Sequence, residues 1–418
     1  MTFQAPRGTL DILPEDQKYW RYVEHHASKI AERFGFQRID TPVFENAELF
    51  ERGVGDSTDI VEKETYTFTD RGGDRVTLRP EGTAPVCRAY IQHGMHTLPQ
   101  PVRLFYIWTG FRYERPQAGR YRQFNQFGIE IIGEPDATVD AEVIEVAWRF
   151  LEDVGLSDLT LTVNSIGDDE CRPVYIEELK AFYQDHIEEI CDDCKRRLIR
   201  NSLRLLDCKN DQCQPIIAAA PQSVNHLCDE CSAHWEALKA YLGNVGLNFE
   251  IDHKLVRGLD YYTRTVFEIT PPVEGRTATI VGGGRYDGLI EQLGGNSTPG
   301  IGYGMGIERV IENLKRQEVT VPEPEIVKVL VAYLGDLAKN EALRLASELR
   351  QGGVTSILSP SRGLRSQLRY ANAKNCTHAV IIGDDELAKG VAMVRDLRQS
   401  EQSEVSLDSV VSSFTENS

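Results

Sequence analysis

The apolar positions change period several times along the chain, and each change marks an element. Tyr19, Val23, Ala27, Ile30 and Phe34 recur at helical spacing and predict an amphipathic helix over Glu15–Phe34, stopped by Gly35. FQRIDTPVFE reads as a strand interrupted by Pro42, which points to an edge or an interface. Tyr66–Phe68 and Val76–Leu78 predict a hairpin turning at Gly72-Gly73, and LRPEGTAP then leads into a helix near Ala84–Gln92. VRLFYIWTGF is an apolar strand. After a polar loop, Phe127, Ile129 and Ile131 alternate with Gln126, Gly128 and Glu130, so one face of the next strand is polar. Asp140–Val154 returns to the helical period, with Val143, Ala147, Leu151 and Val154 in register, and LTLTVNSIG is again a strand.

From about Asp168 to Asn244 the pattern is charged and helical without strand signals, as expected of an inserted helical domain. Strand character resumes in LNFEIDHKLVRGLDYYTRTVFEIT and ATIVGGGRYDGLI, and PGIGYGMGIERV turns from a glycine-rich strand into a helix. Gln317–Glu325 is a charged, proline-bearing linker. Beyond it VKVLVAYLG, a helix through Arg350, VTSILSP, a helix through Ala373, THAVIIG and a final strand and helix predict a compact parallel-sheet domain.

Composition narrows the class. A hydrophobic content of 41% with 26% charged residues fits an ordinary globular chain, and 418 residues allow two to four domains. No apolar run approaches the roughly 18 residues of a membrane span. MTFQAPRGTLDILPED lacks a charged-then-apolar leader, so no membrane association and a cytoplasmic location are expected. A net charge of −18 argues against non-specific nucleic-acid binding, yet leaves room for local basic surfaces with modest, salt-sensitive RNA affinity.

The nine cysteines are an odd number, which speaks against a full disulfide framework. Seven fall in the insertion: Cys171, Cys191, Cys194, Cys208, Cys213, Cys228 and Cys231. The two C-x2-C pairs raise a structural zinc at Cys191, Cys194, Cys228 and Cys231, against free thiols in a reducing compartment. The basic run Cys194–Lys209 faces an RNA backbone or is a solvated helix face, and the sequence leaves both open.

The densest chemistry lies in Phe111–Gly133, FRYERPQAGRYRQFNQFGIEIIG, where Arg112, Arg115, Arg120 and Arg122 crowd a turn with Glu114. The arginine fork binds phosphate oxygens bidentately and never loses its charge. A buried face carrying Gln126 and Glu130 is costly unless those groups bind something. Glu81 and Thr83 stand at a strand-to-helix junction, where helix capping is the plain alternative. Arg257, Asp260, Tyr261 and Tyr262 around Gly258 are dense polar machinery for a core. Gly282–Gly284 allow a backbone to approach a ligand closely. The spacing Gly302-x-Gly304-x-Gly306-x-Glu308-Arg309 is not the dinucleotide fingerprint, and a P-loop is absent.

Taken in order, these stretches resemble the class II aminoacyl-tRNA synthetases. Motif 1 resembles residues 20–45, motif 2 residues 105–133 and motif 3 residues 299–315. The pair Arg257–Tyr262 and Gly282–Asp287 resembles that of the histidyl-tRNA synthetase family, in subclass IIa. The resemblance implies an α/β protein whose α+β catalytic domain (1–325) has a mainly antiparallel sheet flanked by helices. It also implies a helical insertion at 168–244 and a βαβ-type anticodon-binding domain at 326–418.

The implied reaction forms histidyl-adenylate from ATP and L-histidine, then transfers the histidyl group to tRNA(His), with Mg2+ as cofactor and a homodimer built through motif 1. By the family pattern the catalytic Arg112 and Arg257 brace the α-phosphate and carboxylate. Glu114, Arg120 and Arg309 join Arg112 in binding ATP. Glu81, Thr83 and Gln126 orient the amino acid, and Glu130 and Tyr262 bind the two imidazole nitrogens with Tyr261 nearby. Arg362, Arg365, Arg369 and Lys374 lie along one segment of the anticodon-reading domain. A pocket pairing both ring nitrogens rejects apolar isosteres by ~10⁴–10⁵, so no editing domain is required. The alternatives are a histidine-sensing regulatory paralogue, which usually has lost the catalytic arginines and the C-terminal domain, and another subclass IIa synthetase. Asn201-Ser202-Leu203, where many members have proline after the asparagine, and the cysteine-rich insertion depart from the family.

Overall fold

The structure, a computed structural model, describes residues 2–54, 64–114, 120–272, 279–322, 326–360 and 363–415. It divides into two units, Met1–Val321 and Pro322–Ser418. In the first unit the strands are β1 (Gln37–Arg38), β2 (Phe44–Asn46), β3 (Tyr66–Thr69), β4 (Arg75–Leu78), β5 (Val102–Phe111), β6 (Gln123–Ile132), β7 (Thr160–Ser165), β8 (Glu250–Ile251), β9 (Thr263–Thr270), β10 (Val281–Arg285) and β11 (Gly300–Gly306). Eight of them form one sheet in the order β1-β5-β6-β11-β10-β9-β7-β8, and β2-β4-β3 form a small antiparallel sheet. The inner strands of the large sheet are antiparallel neighbours. The edge strands β1 and β8 run parallel to β5 and β7, so the sheet is mixed.

The single strand expected over FQRIDTPVFE is two pieces in two sheets. Pro42 offers no N–H to a ladder, and the chain turns there. A buried arginine absent from the sequence expectations fills the corner. Arg79 donates from Nη1 to the Thr41 carbonyl at 2.6 Å and the Pro42 carbonyl at 3.1 Å, and from Nε to the Thr109 carbonyl at 3.0 Å. Its guanidinium lies 4.4 Å over the Trp108 ring.

One face of the large sheet carries the main core. Phe127, Ile129 and Ile131 of β6 pack there against the helices Gln17–Arg33, Ala137–Asp153, Asp229–Asn244 and Ile307–Arg316. The first helix buries Trp20, Val23, Ala27, Ile30 and Ala31, while the expected Tyr19 and Phe34 are only partly covered. The second starts earlier than the periodicity suggested, because Asp136 caps it by accepting the Thr138 N–H at 2.8 Å. Residues 168–244 contain helices and turns and, as described, no strand. Their last helix is no appendage, since Trp235, Leu238 and Leu242 belong to the main core. On the opposite face Tyr106 and Trp108 of β5 pack with helix Thr83–Gln92 and with Tyr175, Leu179, Leu198 and Leu205 of the insertion. The polar residues singled out in the sequence gather on that face.

The second unit holds β12 (Lys328–Tyr333), β13 (Thr355–Leu358), β14 (His378–Ile382), β15 (Val391–Asp396) and β16 (Gln402–Ser406), in the order β13-β12-β14-β15-β16. The first three are parallel, joined by helices Asp336–Gln351 and Leu364–Ala373 as expected. The expected all-parallel sheet fails at β15 and β16, which are antiparallel to their neighbours. A parallel return needs a crossover of about a dozen residues, and only Gly383, the short helix Asp384–Lys389 and Gly390, at φ 71°, separate β14 from β15. Among the described residues no helix is long and apolar enough to cross a membrane.

Candidate active site

The floor of the site is the polar face of β6. The register sets Gly128 opposite Tyr106 of β5 and Glu130 opposite Gly302 of β11. Glu130 is fully buried, and three hydroxyls reach it. Thr83 Oγ1 at 2.8 Å and Tyr106 Oη at 3.0 Å donate to Oε1, and Tyr286 Oη at 2.7 Å donates to Oε2. Burial pushes this carboxyl up to about 8, with the Tyr286 and Thr83 hydroxyls opposing the rise and Glu81 adding to it. A Cβ on residue 302 would lie 1.9 Å from Glu130 Oε2, so the site needs glycine there.

Glu81 closes one end. Its carboxylate accepts the Thr83 N–H at 2.7 Å and the Ala84 N–H at 2.8 Å, which caps helix Thr83–Gln92, and the Tyr261 hydroxyl lies 3.4 Å away. Burial raises this carboxyl too, against the two backbone donors and Arg112. Tyr261 and Tyr262 pack ring to ring at 4.7 Å, both buried. Arg257 lies above β10 with Nη1 bonded to Glu268, whose other oxygen accepts Thr279 Oγ1 at 2.8 Å. Its buried Nε has no partner among the described residues. The glycines of β10 leave room for the chain's own neighbouring groups. A Cβ on Gly282 would fall 2.1 Å from Arg257 Nη2. Gln126 stands on the same face of β6, next to Gly304, and its amide has no hydrogen-bond partner among the described residues.

Beyond this buried pocket lie the arginines. Arg112 donates from Nε to the Pro80 carbonyl at 2.8 Å. Glu114 sits 3.9 Å from Arg112 Nη1 and 3.6 Å from Arg120 Nη1. Burial lowers the Arg309 guanidinium below its ordinary value, and Arg120 and Arg112 add to the push while Glu114 opposes it. Arg309 therefore feels two other guanidiniums, with Glu114 and Glu268 as the opposing carboxylates, an arrangement that an anion would relieve. Glu308 fixes the motif 3 helix to β6 by accepting the Asn125 N–H at 2.8 Å and Asn125 Nδ2 at 2.9 Å. A cleft of about 330 Å³ opens beside the pocket, bordered by Arg257, Asp260 and Tyr262 on one side and by Asn201, Ser202 and Leu203 of the insertion on the other.

Other expected residues lie elsewhere. Arg122 stacks 3.8 Å from the Tyr113 ring. Arg285 is fully buried away from the pocket, paired with Asp140, which also accepts from Thr265 Oγ1 at 2.6 Å and meets His234 Nε2 at 2.8 Å. The proposed zinc quartet does not form. Cys191 and Cys194 meet Cys208 and Cys213, whereas Cys228 and Cys231 meet Cys171 and Asp168. In the basic run, Arg197 and Arg204 both bind Asp207, at 3.0 and 2.8 Å, and so brace the insertion itself. Arg115 and Arg362 lie outside the described residues. The sequence reading gave no role to Tyr106 and Tyr286, the two tyrosines on Glu130.

Residues 8–310 match the family described as Histidyl-tRNA synthetase, and residues 328–417 match the one described as Anticodon binding domain. A protein named histidine–tRNA ligase from Dehalococcoides mccartyi is 55% identical over 410 residues, 98% of this chain and 98% of its own length. One of the same name from Thermosipho melanesiensis is 48% identical over 415 residues, 99% of each. The crystal structure of apo histidyl-tRNA synthetase from S. aureus has a TM-score of 0.84 at 37% identity, covering 99% of this chain and 100% of that one.

Proposed function

The chain belongs to the histidyl-tRNA synthetase family, and from that premise we propose how its residues divide the work. The reaction is ATP-dependent attachment of histidine to tRNA(His), with ATP as a substrate. Activation joins a histidine carboxylate oxygen to the α-phosphorus of ATP and breaks its bond to the bridging oxygen, releasing pyrophosphate. That step needs positioning and charge stabilisation rather than a protein nucleophile. Arg112 and Arg257 are the catalytic pair that braces the reacting carboxylate and α-phosphate. Arg120 and Arg309 take the distal phosphates. The observation that carries this reading is the convergence of Arg112, Arg120 and Arg309 beside a buried pocket lined with hydroxyls.

Histidine recognition falls to the buried half. Glu81 and Thr83 hold the α-ammonium and Gln126 orients the amino acid. Glu130 and Tyr262 pair the imidazole nitrogens, with Tyr261 alongside. Glu130 Oε1 accepts two hydroxyls and Oε2 one, so the carboxyl proton belongs on Oε2, from which it can be donated to a bare ring nitrogen. Magnesium fits the phosphate half. The Glu114 oxygens stand beyond hydrogen-bond reach of Arg112 and Arg120, so that carboxylate would add a ligand to an ion held mainly by phosphate oxygens. The chemistry such an ion would supply is neutralisation of phosphate charge.

The same reading treats 1–325 as the catalytic domain, 168–244 as its insertion and 326–418 as the anticodon-reading domain, where Arg365, Arg369 and Lys374 are exposed. A homodimer would cover the apolar Val43, Phe44 and Phe68, which are 45%, 56% and 48% exposed around the small sheet. The enzyme would act in the cytoplasm. Histidine-dependent ATP–pyrophosphate exchange without tRNA tests the assignment. Exchange with histidine alone is expected; histidine binding without exchange would remove the arginines from catalysis.

A further inference from the structure

We propose that residues 168–231 carry two nested structural zinc sites, an inner one of Cys191, Cys194, Cys208 and Cys213 and an outer one of Asp168, Cys171, Cys228 and Cys231. In each set the ligand atoms all lie within 4.8 Å of one another. Tetrahedral zinc with Zn–S bonds of about 2.3 Å places its sulfurs roughly 3.8 Å apart. Cys191 Sγ lies 3.8 Å from Cys208 Sγ, and Cys194 Sγ lies 3.8 Å from Cys213 Sγ, which are two opposite edges of such a tetrahedron. In the outer set Asp168 Oδ1 stands 3.5 Å from Cys171 Sγ and 4.0 Å from Cys228 Sγ. Those separations bracket the ~3.6 Å edge expected between a carboxylate oxygen and a thiolate on zinc.

The two sites share a local design. Cys191 and Cys228 each precede a helix, Asp192–Arg200 and Asp229–Asn244, and Cys194 and Cys231 occupy the first turns. That C-x2-C placement sets each pair at the positive end of a helix dipole, which favours thiolates. Backbone N–H groups aim at the sulfurs, from Cys191 to Cys213 Sγ at 3.3 Å and from Asn210 to Cys208 Sγ at 3.5 Å. Arg264 Nη2 holds the free oxygen of Asp168 at 3.2 Å, the outer-shell orientation that metal-binding carboxylates require. Thiolate-rich, largely buried sets without an open position select structural zinc over magnesium or calcium.

Nesting explains why the stretch needs both ions. The outer site ties its two ends together, and the inner one anchors helix Asp192–Arg200. The residue that ends this helix, Asn201, donates from Nδ2 to Asp260 Oδ1 at 2.6 Å. The metal frame is thus connected to the Arg257–Tyr262 segment through one helix.

The test is the metal content of the full-length protein purified without added metal, measured by plasma mass spectrometry after dialysis. Two zinc equivalents per chain are expected, with one lost in Cys208→Ala, one in Cys228→Ala and both in the double variant. No metal with nine titratable thiols, or a single equivalent in the wild type that only one of the two variants removes, overturns the pair of sites. Should the variants not fold, cobalt exchanged into the wild-type protein decides. Intense visible d–d bands with sulfur charge-transfer absorption support tetrahedral thiolate sites, and a weak octahedral spectrum refutes them.

Discussion

Glu130→Gln separates what the buried carboxyl costs from what it does. The carboxyl titrates near 8 in the folded protein against an ordinary 4.5. Between those values the folded chain keeps a proton that the unfolded chain has released. Stability from this group is therefore fully present below about pH 4.5 and is lost as pH rises through 8. At 1.36 kcal/mol per pH unit the loss reaches roughly 5 kcal/mol, and about 2–5 kcal/mol allows for relaxation around the charge. Glutamine removes the titration and keeps the shape. Its oxygen can accept Thr83 and Tyr106 as Oε1 does, and its NH2 can donate to Tyr286, whose hydroxyl can turn to accept. All four tryptophans, Trp20, Trp108, Trp148 and Trp235, lie in the first unit, so tryptophan fluorescence during urea unfolding follows that unit alone. The variant should match the wild type within about 1 kcal/mol at pH 5 and exceed it by about 2–5 kcal/mol at pH 8.5, while histidine-dependent exchange falls. Parallel stability–pH curves for the two proteins would refute the raised carboxyl.

Other perturbations follow from single contacts. Gly302→Ala puts a Cβ 1.9 Å from Glu130 Oε2 and should sharply reduce exchange, whereas Gly243→Ala, with nothing within 4 Å in a helix, should leave exchange unchanged and add up to about 1 kcal/mol of stability by urea titration. Arg257→Ala should fold normally and slow adenylate formation by ~10²–10³, and an unchanged exchange rate would take Arg257 out of the mechanism. Arg285→Met leaves Asp140 buried without its main partner and should cost about 3–5 kcal/mol. Burial works to raise the Asp140 carboxyl, but Arg285 and His234 hold it below its ordinary 3.8, so its contribution is present above that value and fades as pH falls. Acid unfolding curves of wild type and variant should accordingly differ most above pH 4.

Much of the site was legible because a strand's period of two is local. Gln126, Gly128 and Glu130 were assigned to one face from spacing alone, and the register with β11 puts them there. Tyr106 was not legible, since VRLFYIWTGF is apolar on both faces and nothing local separates Tyr106, over the site, from Phe105, in the main core. Arg285 and Tyr286 read as one motif, yet they go separate ways: one enters the Asp140 network and the other reaches Glu130. Pro42 announced an interruption but not that the two halves would join different sheets. The cysteines show the same limit. Spacing identifies a C-x2-C pair, whereas its partners depend on how the insertion folds back, and reading the two pairs as one quartet ignored the three cysteines and the aspartate that the fold interleaves with them.

The site's two halves obey different electrostatics, which makes the division of roles testable without a ligand-bound structure. Around Glu130 the groups are buried hydroxyls and a carboxyl that stays largely protonated at neutral pH, so salt has little to screen. Around Glu114 gather Arg112, Arg120 and Arg309, Arg120 is 53% exposed, and the chain as a whole carries −18, so positive potential is concentrated there against the general field. Raising ionic strength should therefore weaken ATP more than histidine. Neutral changes such as Glu130→Gln should shift the KM for histidine and its pH dependence, and removing the charge of Arg120 should shift the KM for ATP and its salt dependence. If both substrates responded alike to salt, the pocket would not be divided as its burial and charge imply.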